Sequence, residues 1–261
     1  MNKSILYEER DNVGIITLNR EKVLNAWNKE MRIKICKIFN KIKKDKKIKA
    51  VILTGAGKKA FCAGQDLKEV TDEKLNPGFK NILDEHYGPI IKKIRALEKP
   101  VIAAVNGVAA GAGANIAFAC DIVIAHELAI FIQAFSAIGL IPDSGGTFFL
   151  PRLIGFQKAT ALAMLADKIS AKEAEKLGLV YQVIEEDEFD EHIGRISHRV
   201  SQMPTKALAL TKKAFNESLN NTLEQQLDLE SKLQIEASET QDYQEGVTAF
   251  VEKRKPNFTG K

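Results

Sequence analysis

Short apolar segments typical of β-strands alternate with amphipathic segments along most of the chain. The runs 13–18 and 50–53 are aliphatic and are bounded by Gly, Asn and Thr, which predicts strands. Between them, apolar side chains recur every three or four residues, which predicts a helix over 29–42. The residues on this helix face are Met31, Ile35, Ile38, Phe39 and Ile42. An order of strand, helix and strand is typical of an α/β protein.

The same alternation continues to about residue 184 and then stops. The predicted helices are 82–97, 112–119, 158–165 and 171–177, and the predicted strands are 101–105, 122–125 and 180–184. From Phe189 the pattern is entirely helical, and Pro204 predicts a break, because proline disfavours helix in the residue before it. We expect two or three helices there, and we divide the chain into a core at 1–195 and a C-terminal helical region at 196–261.

Length and composition indicate a globular protein that does not span a membrane. With 261 residues, of which 45% are hydrophobic, the chain can bury a full core. Its longest apolar stretches are far shorter than the roughly 20 residues that cross a bilayer. Residues 1–20 alternate charges with short apolar runs, unlike a secretory signal. We therefore expect a cytoplasmic protein.

The cysteines and histidines form no metal-binding pattern. Cys36, Cys62 and Cys120 are odd in number, widely spaced and set among apolar residues, which indicates buried, reduced thiols. The four histidines have no ligand spacing with one another or with the cysteines, and no HExxH motif occurs. We expect neither a metal nor a redox cofactor.

Lysines are concentrated between residues 41 and 49, although the net charge of the chain is only +4. The cluster consists of Lys41, Lys43, Lys44, Lys46, Lys47 and Lys49. One interpretation is attraction of nucleic-acid or coenzyme A phosphates through the summed positive potential. The favoured interpretation is a solvated helix end, because charge runs usually mark a solvated surface.

Two glycine-bearing turns, at 63–66 and 111–115, each lead into a predicted helix. Amides at a helix N-terminus point outward and carry the positive end of the helix dipole, so they suit an oxygen that develops negative charge. Together the two turns can form an oxyanion hole. The alternative is that the glycines only allow tight turns and close helix packing.

These turns belong to a series of motifs that covers nearly the whole chain. The series comprises Leu18-Asn19-Arg20, Phe61-Cys62-Ala63-Gly64-Gln65-Asp66-Leu67, Lys99-Pro100-Val101-Ile102-Ala103-Ala104-Val105-Asn106-Gly107, Ala110-Gly111-Ala112-Gly113-Ala114-Asn115 and Gly139-Leu140-Ile141-Pro142. In order and spacing it resembles the crotonase (enoyl-CoA hydratase/isomerase) superfamily. The resemblance implies an α/β fold, a crotonase-type spiral of repeated ββα units with a C-terminal helical trimerisation region.

The resemblance also implies an acyl-CoA site, with no cofactor beyond the coenzyme A of the substrate. One backbone amide from each turn, at Gln65 and at Ala112, is expected to bind the thioester carbonyl. Coenzyme A is expected to contact Lys22, Val23, Ala63, Gly64, Asp66 and Leu67, although Glu21-Lys22-Val23 replaces the proline-led segment usual there.

In the C-terminal region, the resemblance implies that Phe250 and Lys253 approach the coenzyme A of a neighbouring subunit. A homotrimer or a dimer of trimers follows from that interpretation. The alternative is an amphipathic cap that packs on its own core, because an apolar helix face does not reveal which chain covers it.

The carboxylates favour isomerisation over hydration. Hydratases of the family have two glutamates, and the matching positions here are Asn115 and Phe135, which cannot supply paired acid and base catalysis. Asp143 is at a position where isomerases of the family can have an acid, and one base can move a proton from C2 of a 3-enoyl thioester to C4. Alternatively, Asp143 caps the following helix. Phe135 can line an acyl pocket or only fill the core.

The run 131–147 and parts of the tail are most similar to the ring-epoxide isomerases of phenylacetate breakdown. These enzymes act on 2-(1,2-epoxy-1,2-dihydrophenyl)acetyl-CoA and can also act as Δ3,Δ2-enoyl-CoA isomerases. Two further functions stay open: a hydrolytic or dehalogenase-like reaction with Asp143 as nucleophile, and a secondary RNA-binding role for the lysines. The RNA-binding role is less favoured, because aromatic stacking residues are not interleaved with the lysines.

Overall fold

The computed structural model describes residues 3–72 and 74–261. Met1, Asn2 and Glu73, which belong to the predicted core segment 1–195, lie outside the described residues. Both helices and strands are present, and the strands run mainly parallel, so the α/β prediction is confirmed.

Two sheets contain the strands of the described chain, which lie between Ile5 and Ile184. The strands are β1 (Ile5–Arg10), β2 (Val13–Leu18), β3 (Ala50–Gly55), β4 (Ala60–Cys62), β5 (Val101–Val105), β6 (Val108–Ala110), β7 (Ile122–His126), β8 (Ile130–Ile132), β9 (Lys168–Ser170) and β10 (Gln182–Ile184). One sheet has the order β1-β2-β3-β5-β7-β10 and the other has the order β4-β6-β8-β9. Among the strand pairs of the described residues, β1-β2 and β8-β9 are antiparallel and the others are parallel.

Helices cover the sheets and form the end of the chain. They are α1 (Lys29–Lys44), α2 (Leu67–Thr71), α3 (Phe79–Asn81), α4 (Gly88–Ala96), α5 (Ala112–Phe118), α6 (Gly146–Ile154), α7 (Phe156–Leu165), α8 (Ala171–Leu177), α9 (Phe189–Ser201), α10 (Thr205–Ser218), α11 (Leu223–Ser238) and α12 (Gln241–Val251). A π-helical segment, Ile82–Tyr87, joins α3 to α4, and 3-10 turns occur at Glu21–Val23 and Ser136–Ile138. The helix predicted over 82–97 therefore begins as a π-helix.

The strands and helices follow the sequence pattern closely. Strand β5 is buried along its whole length, as expected for a central parallel strand that is covered on both faces. The predicted apolar face of α1 is buried at all five of its positions. Asn28 begins α1, because its side chain accepts a hydrogen bond from Met31 N at 3.0 Å.

The end of the chain differs from the prediction of two or three helices, which was wrong: four helices, α9 to α12, follow Phe189. Two N-caps that the prediction did not consider divide the last part of the chain into separate helices. Thr222 forms a capping box with Gln225 at the start of α11, and Thr240 caps α12. The break at Pro204 is confirmed, since α9 ends at Ser201 and α10 begins at Thr205.

The C-terminal helices differ in how firmly they pack on the core. In α9, Phe189 and Ile193 pack in an apolar cluster with β3, so position 195 lies inside a helix that packs on the larger sheet. In α10, Lys212 is buried and its Nζ contacts Asp121 Oδ2 at 2.7 Å. By contrast, α12 exposes Phe250 at 85%. The division at 195/196 stays a prediction.

The structure also bears on the cysteines, on metal ligands and on membrane-spanning helices. All three cysteines are free, and burial raises the pKa of Cys62 to about 12 and that of Cys120 to about 12. Within residues 3–72 and 74–261, no group of three His, Cys, Asp or Glu side chains is arranged to hold a metal ion. None of the helices in the described part of the chain is both long enough and apolar enough to span a bilayer.

Candidate active site

The first glycine turn follows β4 and is fixed by backbone hydrogen bonds to Trp27. Gly64 has φ +94°, a conformation that disfavours side chains, and its carbonyl accepts a bond from Trp27 N at 2.7 Å. Asp66 N donates to Trp27 O at 2.9 Å, so both peptides that flank Gln65 are held. Asp66 also begins α2 by accepting a bond from Lys68 N.

The second glycine turn follows β6, the parallel neighbour of β4. Gly111 has φ +51° and donates its N–H to Ile132 O at 2.9 Å, after which Ala112 begins α5. Gly113 lies against the first turn so closely that a Cβ would lie 2.3 Å from Cys62 O. Any side chain at Gly113 would therefore push the two turns apart.

The two turns meet at the same edge of the smaller sheet. A Cβ placed on Gly64 would lie 3.0 Å from Ala110 O and 3.8 Å from Ala112 N. Within the described chain, neither Gln65 N nor Ala112 N has a hydrogen-bond acceptor. Two adjacent, free backbone N–H groups are the elements of an oxyanion hole. The structure thus brings together the two turns whose amides the family resemblance implied.

Asp143 lies beside the second turn, on a backbone that two left-handed residues bend sharply. Ser144 has φ +51° and Gly145 has φ +78°. The Asp143 backbone carbonyl accepts bonds from Gly146 N and from Asn115 Nδ2, both at 2.8 Å. The carboxylate itself caps no helix: in the described structure its only hydrogen-bond donor is the Ser144 hydroxyl, at 2.8 Å. The capping interpretation of Asp143 was therefore wrong.

Burial dominates the electrostatics of Asp143. Loss of solvent raises the pKa of this carboxyl above its ordinary value, and the hydrogen bond from Ser144 opposes part of that increase. A carboxylate that is partly desolvated and lightly hydrogen-bonded binds a proton more readily than an exposed one. This is the property required of a group that takes and returns a proton.

The two positions that match the glutamates of hydratases carry no charge and are buried. Asn115 is fully buried and accepts a bond from Gln133 Nε2 at 2.8 Å. Phe135 is 6% exposed, and its ring would lie 3.6 Å from a Cβ on Gly111, so it covers the second turn. Gln133 was not predicted from the sequence, and no pattern there distinguished it.

The first turn contacts two residues that the sequence interpretation missed. Gln65 Oε1 accepts bonds from Tyr87 Oη at 2.6 Å and from Arg32 Nη1 at 3.0 Å. Arg32 occupies the buried face of α1 together with Ile35 and Phe39. That spacing, with a charged residue at a core position, was a signal that could have identified it.

The residues expected to bind coenzyme A lie next to one another. Lys22 and Val23 form the 3-10 turn Glu21–Val23, and the following Leu24 accepts a bond from Ala63 N at 3.0 Å. Arg20 contacts Asp66 Oδ2 at 2.8 Å, which joins the two segments further. Leu67 is 56% exposed at the start of α2.

The remaining predicted residues lie on the surface. Phe250 is at the exposed end of α12 and Lys253 follows that helix, and their contact with a neighbouring subunit stays an expectation. The lysine cluster lies at the exposed end of α1, where Lys41 contacts Glu9 at 2.8 Å and Lys49 donates to Phe258 O. These contacts fit the interpretation of a solvated helix end.

Comparison with known proteins gives consistent matches over the full length. A family model described as enoyl-CoA hydratase/isomerase matches residues 8–261. The chain is 43% identical to a probable enoyl-CoA hydratase of Rhodobacter capsulatus, over 99% of this chain and 98% of that one. It is 42% identical to the 1,2-epoxyphenylacetyl-CoA isomerase of Escherichia coli K12, over 100% of both chains.

A crystal structure of an enoyl-CoA hydratase from Bacillus anthracis has the same fold. It superposes with a TM-score of 0.92 at 33% identity, covering 99% of this chain and 100% of that chain. This match confirms the crotonase-type α/β fold that the motif series implied, and the trimerisation role of the C-terminal helices stays a prediction. The matches include relatives described as hydratases and relatives described as isomerases, and the hydratase and the isomerase named above are at nearly equal identity.

Proposed function

Because the chain belongs to the enoyl-CoA hydratase/isomerase family, we propose that it is an acyl-CoA isomerase that converts Δ3-enoyl-CoA to Δ2-enoyl-CoA. The observation that carries this proposal is the carboxylate of Asp143 beside the second turn. Asp143 lies next to Asn115, whereas the positions that match the hydratase glutamates hold an amide and a phenyl ring. Neither side chain can act as a second acid or base, which disfavours the addition of water.

The reaction needs one proton acceptor and a stabilised enolate. The ionised Asp143 takes a proton from C2, and the electron pair of the broken C–H bond moves toward the thioester carbonyl. The resulting enolate oxygen accepts hydrogen bonds from Gln65 N and Ala112 N, each of which can lower the barrier by about 3 kcal/mol. Asp143 then returns the proton at C4, so the double bond shifts from C3–C4 to C2–C3 with no net change in composition.

The raised pKa of Asp143 suits this shuttle. A base with a pKa closer to neutrality than that of an exposed Asp captures a weakly acidic C2 proton more effectively and can still release it. Turnover is expected to fall at acidic pH, as Asp143 becomes protonated before it meets substrate, with an apparent pKa above the ordinary Asp value of about 4.

Substrate binding completes the proposal. Lys22, Val23, Ala63, Gly64, Asp66 and Leu67 are proposed to contact coenzyme A, with Phe250 and Lys253 contributed by a neighbouring subunit in a trimer or a dimer of trimers. The acyl group would then lie against Phe135, beside Gly111. No cofactor beyond the coenzyme A of the substrate takes part in the proposed steps.

A ring-epoxide phenylacetyl-CoA is the second candidate substrate. The identity of 42% over 100% of both chains to a 1,2-epoxyphenylacetyl-CoA isomerase supports it. The aromatic side chain of Phe135, buried against the second turn, is also suited to contact a ring.

Two activity measurements on the same protein test the proposal. Isomerisation of 3-enoyl-CoA is expected to exceed hydration of the corresponding 2-enoyl-CoA. Asp143→Asn should lower isomerisation by at least about 10²-fold, because it removes the base, while coenzyme A binding is retained. Dominant hydration, or full isomerisation by Asp143→Asn, would contradict the proposal.

A further inference from the structure

The side chain of Gln65 is held by a buried, charged network beneath the first turn. Its Oε1 accepts bonds from Tyr87 Oη and Arg32 Nη1, and its Nε2 donates to Glu69 Oε2 at 2.8 Å. Arg32 Nη1 also donates to Glu69 Oε2 at 2.8 Å, and Glu69 Oε1 accepts a bond from Lys29 N at 2.7 Å. The network connects α1, α2 and the π-helical segment Ile82–Tyr87.

Hydrogen bonds therefore fix Gln65 through both its backbone and its side chain. Its flanking peptides are bonded to Trp27, and its side-chain amide is bonded to three other side chains. Its backbone N–H, the group without an acceptor in the described chain, lies between these two anchors. With both anchors in place, that N–H has little freedom to rotate away from the direction it faces.

The network is expensive to bury, which argues against a purely structural origin. Arg32 has no exposed side-chain surface, Tyr87 is 1% exposed and Glu69 is 8% exposed. Within the described chain, Arg32 Nε and Nη2 are buried without a hydrogen-bond partner. A buried ion pair seldom stabilises a fold more than apolar residues of the same volume would, and unpaired buried donors cost more still.

The two partners of the buried ion pair differ in how fully their hydrogen bonds are satisfied. Glu69 accepts bonds from Arg32, Gln65 and Lys29 N, whereas the guanidinium of Arg32 leaves two nitrogens unpaired. The ion pair carries no net charge, but its cationic partner keeps two unpaired donors behind Gln65.

From this geometry we propose that Arg32, Glu69 and Tyr87 are positioning residues that lock the Gln65 side chain and so aim its backbone N–H at the substrate carbonyl. The proposal rests on the proposed function only in assigning that N–H to the oxyanion hole. The three residues act through Gln65 and do not touch the reacting atoms.

The test measures polarisation of the carbonyl directly, without requiring turnover. A saturated acyl-CoA labelled with ¹³C at the thioester carbonyl is bound to the unmodified protein and to Tyr87→Phe, and the carbonyl resonance is recorded. Hydrogen bonding from the oxyanion hole should move the bound resonance downfield of the free one. Tyr87→Phe removes one anchor of Gln65, so it should lose a measurable part of that downfield shift.

A second variant and a matched control separate positioning from general damage. Gln65→Met keeps the backbone N–H but removes the anchors, so it should lose more of the shift than Tyr87→Phe. Tyr7→Phe removes a hydroxyl from a tyrosine on β1 and should keep the full shift. For 3-enoyl-CoA, kcat of Tyr87→Phe should fall about 10-fold with little change in KM, a smaller loss than deletion of an oxyanion donor causes.

The outcomes distinguish this inference from the proposed reaction. A downfield shift that Tyr87→Phe and Gln65→Met diminish supports the positioning role even if 3-enoyl-CoA is not turned over. An undiminished shift in both folded variants overturns it, even if isomerisation is observed. An unmodified protein that binds the probe without any downfield shift also overturns it.

Discussion

The two turns present the same chemical group, a free backbone N–H, but different interactions hold them. The first turn is held from behind by charged and hydroxyl groups on Arg32, Glu69 and Tyr87. The second is held by close packing, with Gly113 against Cys62 O and the Phe135 ring over Gly111. The first should therefore be sensitive to lost charge and hydrogen bonds, and the second to added volume.

The largest expected effect is the loss of stability when the ion pair behind the first turn is broken. Arg32→Met removes the cation but leaves Glu69 buried, and loss of one partner of a buried pair costs about 3–5 kcal/mol of unfolding free energy. Asn115→Leu, the matched neutral change beside the second turn, leaves only an amide unpaired and should cost about 1–3 kcal/mol. Denaturant unfolding of both variants measures the difference, and equal costs would remove the contrast between the turns.

Added volume should damage the second turn selectively. Gly113→Ala places a Cβ 2.3 Å from Cys62 O, so we expect a loss of about 1–3 kcal/mol in stability. Turnover should fall by up to about 10²-fold because Ala112 N is displaced. Gly194→Ala on α9 is the control: its Cβ meets no atom within 4 Å, and it should be neutral or stabilising. A fully active Gly113→Ala would show that the turns can separate without cost.

The turn that carries Asp143 should respond to a smaller change. Ser144→Gly relieves a side chain at φ +51° but removes the hydroxyl that lowers the pKa of Asp143. The acidic limb of the pH profile for kcat/KM should move to higher pH, with stability changed by less than about 1 kcal/mol. Ser136→Gly, at the neighbouring 3-10 turn, provides a control that should leave the profile in place.

The raised pKa of Asp143 also predicts how the stability of the protein depends on pH. Because burial raises the folded-state pKa of Asp143 above its unfolded value, its contribution to stability is full below about pH 4 and is lost as the pH rises through the folded value. Asp143→Asn should therefore be more stable than the unmodified protein at neutral pH, and this advantage should disappear in acid. Thermal unfolding at several pH values measures it; an advantage that does not vary with pH would contradict the assigned cause.

The sequence indicated the backbone turns of the candidate site more clearly than its side-chain contacts. The two glycine turns have a local signature, a glycine before a helix, whereas the assignment of Gln65 and Ala112 came from the family resemblance and stays a prediction. Local patterns also predicted β5 and the buried face of α1. Tyr87 and Gln133 contact the site across long sequence separations, and no periodic pattern marks such contacts. The caps at Thr222 and Thr240 were local signals that the prediction of two or three C-terminal helices overlooked.

Transfer of an isotope from C2 to C4 tests most directly the claim that one partly buried carboxylate moves the proton. A 3-enoyl-CoA carrying two deuterium atoms at C2 is converted in ordinary water, and deuterium at C4 of the product is measured by mass spectrometry from the earliest turnovers. Since Asp143 is partly buried and its only described hydrogen-bond donor is Ser144, we expect a substantial fraction of the product to retain deuterium at C4. Complete loss of that deuterium to solvent from the first turnover would contradict a shuttle by Asp143 alone.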